Sequence, residues 1–303
     1  MSTTDPMLER IGHLAALARG LEMEGGYNGA KLIRAALERE LLRYGDAHAP
    51  SGRAALGDAV ATMRRELSGE YADAFCASLD AVEVAVRAGT TVPLESAPPP
   101  WTCRACGELF LGDPPPSNCP VCGSPASSFR EHLPIWFLEP AKSGDIVAAL
   151  AAGPALIADA LAGHDEADLA RPPAPGDWSV RQVLEHLLYA EQLLAERVGR
   201  LLHEDEPDLA ARAVWAETAV SDEGSVRSGE SAGRLFERYR ELRAATVDQL
   251  GQLEDAQWLR AGHHAEWGRI TVLSQAAYFA RHQASHMAQL VAAADGRVPG
   301  QGH

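Results

Sequence analysis

The sequence predicts a mainly α protein: a four-helix bundle in the C-terminal half, a smaller helical bundle at the N-terminus, and a short cysteine-bearing module between them. Three observations lead there. Apolar residues recur three and four apart through 7–90 and again through 141–303, the amphipathic helix pattern. Two Pro-rich breaks, Ser96-Ala-Pro-Pro-Pro100 and the run from Pro134 to Gly144, separate these regions. Between the breaks, four of the five cysteines fall within twenty residues. Three domains are expected, 1–95, 96–140 and 141–303.

In 7–90 the period is clear in Leu32, Ile33, Ala36, Leu37, Glu40 and Leu41, and about three helices are expected. Gly25-Gly26 and the stretch from Tyr44 to Gly52 supply the breaks. A helical bundle can host a di-iron centre, but that chemistry needs Glu-x-x-His pairs on facing helices, and 7–90 has none. A packing or dimerisation role is expected instead. The C-terminal region reads as helices at about 143–163, 179–203, 231–252 and 271–294. Ser179-Val-Arg-Gln182 fits a capping box, and Arg171 to Asp177 breaks the chain just before it. The polar stretch 204–230 makes one long crossover, with a short helical turn expected around Arg212–Ala219.

The chain has 303 residues, 46% hydrophobic and 23% charged, enough for a sizeable core. No run of about 18 apolar residues is evident, so no membrane span is expected. Met1-Ser-Thr-Thr-Asp-Pro has neither the basic nor the apolar stretch of a secretory signal, and a cytoplasmic location is expected. The net charge of −15 is spread as −4 (10 basic, 14 acidic residues), −2 (2 and 4) and −9 (15 and 24) over the three regions. No region is basic, which argues against nucleic acid or anionic lipid as a partner. Five cysteines are too few and too clustered for a disulfide scaffold. Cys76, alone between Phe75 and Ala77, reads as a buried small hydrophobe.

Trp101-Thr-Cys103-Arg-Ala-Cys106-Gly107 and Cys119-Pro-Val-Cys122-Gly123 are two Cys-x-x-Cys knuckles with twelve residues between them. Each turns two thiolates toward one point, and four sulfurs complete a tetrahedron that suits zinc or iron. Glycine after each second cysteine allows a positive-φ turn. With Trp101, Gly112, Pro120 and Phe129 around the knuckles, residues of about 100–131 resemble the rubredoxin-like domain of rubrerythrins. The resemblance implies a small β module holding a one-electron iron at Cys103, Cys106, Cys119 and Cys122. A structural zinc ribbon would use the same four ligands.

His282-Gln-Ala-Ser-His286 places two imidazoles on one helical face, with Gln275, Phe279, Gln289 and Leu290 on the same side. A third ligand has to come from another helix. His186, beside the apolar stripe Val180, Val183, Leu184 and Leu187, is a candidate, although a lone histidine there also suits a core. Together, Trp178-Ser with Leu184-Glu-His186-Leu, the long connection, Trp267-Gly-Arg-Ile-Thr-Val-Leu and His282-x-x-x-His286-x-x-Gln289-Leu290 resemble the DinB-like (YfiT-like) superfamily of metal-binding four-helix bundles over 141–296. The resemblance implies a divalent metal (Zn, Fe, Ni or Mn) on His186, His282 and His286. It also implies a low-molecular-weight thiol as co-substrate, and thiol transfer or metal-assisted hydrolysis of a small molecule. Three imidazoles leave a coordination position open, as a working metal requires. Glu185, Glu191, Gln275, Tyr278 and Gln289 are candidate catalytic or wall residues. His263-His264 reads as a polar surface loop. A homodimer and a redox partner are further expectations. Two other functions fit the same residues: an electron-transfer or oxidative-stress protein built on a rubredoxin iron, and a metal-stabilised interaction protein without turnover.

Overall fold

The computed structural model describes residues 5–209 and 229–298; the helical turn expected around Arg212–Ala219 lies outside them. The chain divides into two compact units, residues 1–91 and 92–303.

The first unit contains α1 (Pro6–Met23), α2 (Tyr27–His48), α3 (Arg53–Leu67) and α4 (Asp73–Ala88), with α1 paired to α2 and α3 to α4. Asp5 caps α1, its carboxylate accepting from Met7 N–H at 2.8 Å, with Pro6 at the first helical position. There are four helices where about three are expected. The extra break falls at Ser68-Gly69, where Gly69 adopts φ +92°. In turn, Tyr44 to His48 continues α2 rather than breaking it, because only Pro50 and the positive-φ Gly52 stop the chain there. Cys76 is half-buried rather than buried.

In the second unit, β1 (Pro100–Cys103) pairs antiparallel with both β2 (Leu109–Leu111) and β3 (Phe129–Glu131), giving the sheet order β2-β1-β3. The bundle follows: α5 (Ser143–Leu161), the short α6 (Glu166–Ala170), α7 (Val180–His203), α8 (Ala232–Gly251), the short α9 (Asp255–Trp258), and α10 (Val272–Ala294). Helix α7 packs on α8 and α10, and α5 closes the square against the same two. Ser179 and Gln182 form the expected capping box, Ser179 N–H donating to Gln182 Oε1 at 2.7 Å.

Between α9 and α10 runs a hairpin, β4 (Ala261–His264) with β5 (Gly268–Thr271). It corrects the reading of His263-His264 as a surface loop. Strand alternation leaves His263 exposed and buries His264, whose ring stacks on Trp267 at 4.2 Å. Helix α5 is by length and composition apolar enough to cross a membrane (mean hydropathy 1.5). Asp145, Pro154 and Asp159 interrupt its apolar run. One side of α5, with Ile146, Leu150, Gly153 and Ile157, is buried in the bundle.

The bundle core consists of two apolar clusters. One gathers Leu150, Leu194, Val198 and Phe279, the other Ile157, Leu184, Leu235 and Leu290. Along α5, α8 and α10 a buried polar layer falls between them. Pro154 lacks an N–H and so frees the carbonyl of Leu150, four residues earlier. Arg243 on α8 supplies the missing donor, its Nη1 reaching Leu150 O at 3.2 Å. The same guanidinium donates to Glu191 on α7 at 2.6 and 2.7 Å and to Gln283 on α10. Tyr239 O–H also donates to Gln283, at 2.7 Å. Gly153 admits that amide, since a Cβ there would lie 2.3 Å from it.

Candidate metal centres

The capping box starts α7 at a fixed point, directly after Trp178, which packs against the core. Two turns into α7 stands His186, and α10 runs antiparallel beside it. His282 and His286, one helical turn apart, therefore face His186. The Nε2 atoms of His186 and His282 are 3.1 Å apart, and those of His286 and His282 are 3.2 Å apart. All three ligand atoms lie within 4.8 Å of one another.

This geometry fits a metal. Imidazole nitrogens about 2.0–2.1 Å from one ion stand roughly 2.9–3.4 Å apart for coordination angles between a right angle and the tetrahedral one. Three ring nitrogens turned at each other cannot all be satisfied as neutral donors and acceptors. Gln289 Oε1 lies 2.8 Å from His286 Nδ1, which places the proton on Nδ1 and leaves the Nε2 lone pair for a cation. The ring of Trp178 lies parallel to His286 at 6.3 Å and edge-on to His186 at 5.2 Å, while Phe137, Tyr278 and Phe279 surround His282.

Burial holds these imidazoles neutral. His282 is pushed down to about 3 and His186 to about 4, with neighbouring imidazoles adding to the effect; burial also lowers His286. Buried His264 falls to about 4. In the unfolded chain a histidine titrates near about 6.5. Between about pH 4 and 6.5 the unfolded chain therefore binds more protons, so stability falls as pH drops through that window and is unaffected by these groups above it. Thermal unfolding of metal-free protein is expected to give a lower Tm at about pH 5 than at about pH 7.5; equal values would contradict the buried, neutral triad.

The four cysteines converge as well. Cys103 and Cys122 Sγ are 3.7 Å apart, as are Cys106 and Cys119 Sγ; sulfurs about 2.3 Å from a tetrahedral ion stand about 3.8 Å apart. The two knuckles repeat one hydrogen-bond pattern. Gly107 N–H donates to Cys103 O and Gly123 N–H to Cys119 O, both at 2.8 Å, with positive φ at both glycines. Cys103 N–H donates to Glu108 O at 2.8 Å and Cys119 N–H to Ser124 O at 2.7 Å. Ser124 Oγ, 3.2 Å from Cys122 Sγ, and the Ser124 backbone lower that thiol to about 6. Trp101 Nε1 donates to Gly112 O at 2.8 Å, which ties the loop to β1.

Among the other sequence candidates, Gln289 reaches the triad directly, and Tyr278 packs parallel to the His282 ring at 5.9 Å. Gln275 lies deeper, accepting from Arg197 Nη1 at 3.1 Å. Glu191 is fully buried and bound to Arg243, so its carboxylate serves the core. Glu185 is half-buried on α7. Sequence reasoning missed Arg243 and Arg197, because arginines on a helix read as solvated charges; Pro154 inside a helix was the available signal for the first.

A family model described as the DinB superfamily matches residues 149–290. One described as the rubrerythrin, rubredoxin-like domain matches residues 101–130. Among solved structures, YfiT from Bacillus subtilis is similar at 21% identity and a TM-score of 0.45, covering 55% of this chain and 95% of that one. It is described as a probable metal-dependent hydrolase with an unusual four-helix bundle topology. No curated protein matches. Residues 149–290 are thus similar to the DinB superfamily, and residues 101–130 before them to the rubredoxin-like domain of rubrerythrins.

Proposed function

We propose that this protein is a metal-dependent enzyme acting on a small molecule at His186, His282 and His286, by thiol transfer or metal-assisted hydrolysis, with the four-cysteine module as an accessory metal site. The observation that carries the reading is the convergence of three Nε2 atoms within a metal's reach, in a group that contains no carboxylate among the described residues. A divalent ion held there by His186, His282 and His286 would supply an open coordination position and Lewis acidity enough to ionise a thiol or water near neutral pH. The chain's own contribution is placement and shielding. Gln289 fixes the His286 tautomer, α7 and α10 hold the ligands at one level, and Trp178, Phe137 and Tyr278 restrict water around the rings.

The test is turnover by protein loaded in turn with zinc, nickel, cobalt and manganese, against thiol plus electrophile panels and ester or amide substrates. His282→Ala is expected to abolish turnover while the cysteine metal stays bound. Turnover that survives in His282→Ala, or a filled centre with no turnover in any panel, would refute the reading.

The paired knuckles support a second reading, in which an iron at the cysteines transfers single electrons. It predicts a red protein bleached by dithionite, whereas a colourless protein with zinc alone at the cysteines would leave that module a structural staple.

A further inference from the structure

Arg197 is an anomaly of the bundle core. It is 6% exposed and makes no ion pair among the described residues. Burying a charge without an opposite one costs several kcal/mol, and the low-dielectric surroundings pull its pKa down. Among the described residues its guanidinium donates from Nη1 to Gln275 Oε1, and its Nε finds no acceptor there. Arginine can only donate, so this bond fixes which end of the Gln275 amide faces it. The Gln275 Nε2 then points elsewhere, and it too finds no acceptor; Gln275 is fully buried. Two buried N–H donors and a positive charge that only the more distant Glu196 carboxylate favours therefore stand side by side, all suited to the same kind of group: an anion with two acceptor oxygens.

The position of this pair relative to the triad is set by the helices. Gln275 precedes His282 by seven residues on α10, about 10 Å along the axis. Arg197 follows His186 by eleven on the antiparallel α7, and helical side chains lean toward the N-terminus, which brings its guanidinium back to the level of Gln275. Rings line the interval. Arg197 Cζ is 6.0 Å from the Trp267 ring centre, Trp267 is 4.9 Å from Tyr278, and Tyr278 is 5.9 Å from His282. Trp267 is half-buried, so the guanidinium lies one side chain below the surface.

We propose that Arg197 and Gln275 receive a carboxylate of the substrate, so that the substrate class is a small molecule carrying a carboxylate about 10 Å from the atom that sits at the three-histidine centre. This rests on the open metal centre proposed above. Trp267 and Tyr278 form the wall along which the intervening chain lies.

The experiment uses the full chain with zinc in the cysteine module and cobalt at the histidines, and reads the change in the cobalt absorption bands on adding thiol. A mercaptoalkanoate with a chain of about eight carbons is compared with the mercaptoalcohol of equal length. The acid is expected to bind at least about tenfold tighter than the alcohol. Arg197→Met is expected to erase the preference without loss of cobalt, and Arg197→Lys to keep part of it. A mercaptoalkanoate of about three carbons, too short to span the interval, should show no preference. Equal binding of the long acid and alcohol to the unmodified protein would overturn the carboxylate site and leave the metal centre standing. Cobalt bands that neither thiol moves would overturn the open centre itself. The comparison on unmodified protein decides the matter even if Arg197→Met does not fold.

Discussion

Replacing Arg243 by methionine is expected to cost about 3–5 kcal/mol of folding stability, the range for breaking a buried ion pair by removing one partner. The side chain is 3% exposed and Glu191 0%, so the orphaned carboxylate would have no access to water. Arg243 also serves the carbonyl that Pro154 leaves open and the Gln283 amide that joins α10 to the layer. One substitution thus strips contacts to three other helices. Replacing both Arg243 and Glu191 by methionine should recover most of the loss, because an apolar pair of similar volume carries no stranded charge. Urea unfolding of the two single variants and the double variant measures the coupling. A double variant as unstable as the worse single one would show that the layer works through its carbonyl and amide contacts rather than through the ion pair.

The second large effect is expected at the cysteine module. Its core is Cys103, Cys119 and Phe129 with Trp101 and Phe110 packed on them, and its strands are three or four residues long. So little apolar surface cannot hold a sheet together unaided. In a module of this kind metal binding supplies the folding free energy, about 10–16 kcal/mol for structural zinc sites. Cys119→Ser is therefore expected to unfold residues 100–131 while the bundle retains its own cooperative transition. Limited proteolysis should cut within 100–131 in the variant and not in the metal-loaded parent. Continued protection in Cys119→Ser would mean that packing, not the metal, carries the module.

What could be read from sequence was the chemistry that repeats locally. Ser179 and Gln182 are three residues apart, and a capping box needs nothing else; the helix it starts lies within a residue of the expected place. His282 and His286 share a face by helical period alone, and each knuckle is a local turn. His186 was harder: only the antiparallel packing of α7 against α10 brings it to the other two, and the family resemblance supplied that packing.

The features that stayed hidden depend on distant partners or on weak local signals. The hairpin at 261–271 has strands of four residues carrying Gly262, His263 and His264, too short and polar for an alternation pattern to be recognised. Gly69 follows α3 as a lone glycine, without the Gly-Gly pair or the proline-rich run that marks other breaks. Arg243 and Arg197 sit in helices rich in arginine and glutamate, where an exposed role is the ordinary reading. Buried, one meets a carbonyl that a proline on a distant helix leaves open and the other an amide on another helix.

The proposed function requires that three histidines from two helices hold a metal of their own, separate from the cysteine metal. Elemental analysis of the purified protein beside His282→Ala tests it most directly. One ion at the cysteines and one at the histidines per chain are expected in the parent, with loss of only the second in the variant. Unchanged metal content in His282→Ala would contradict it.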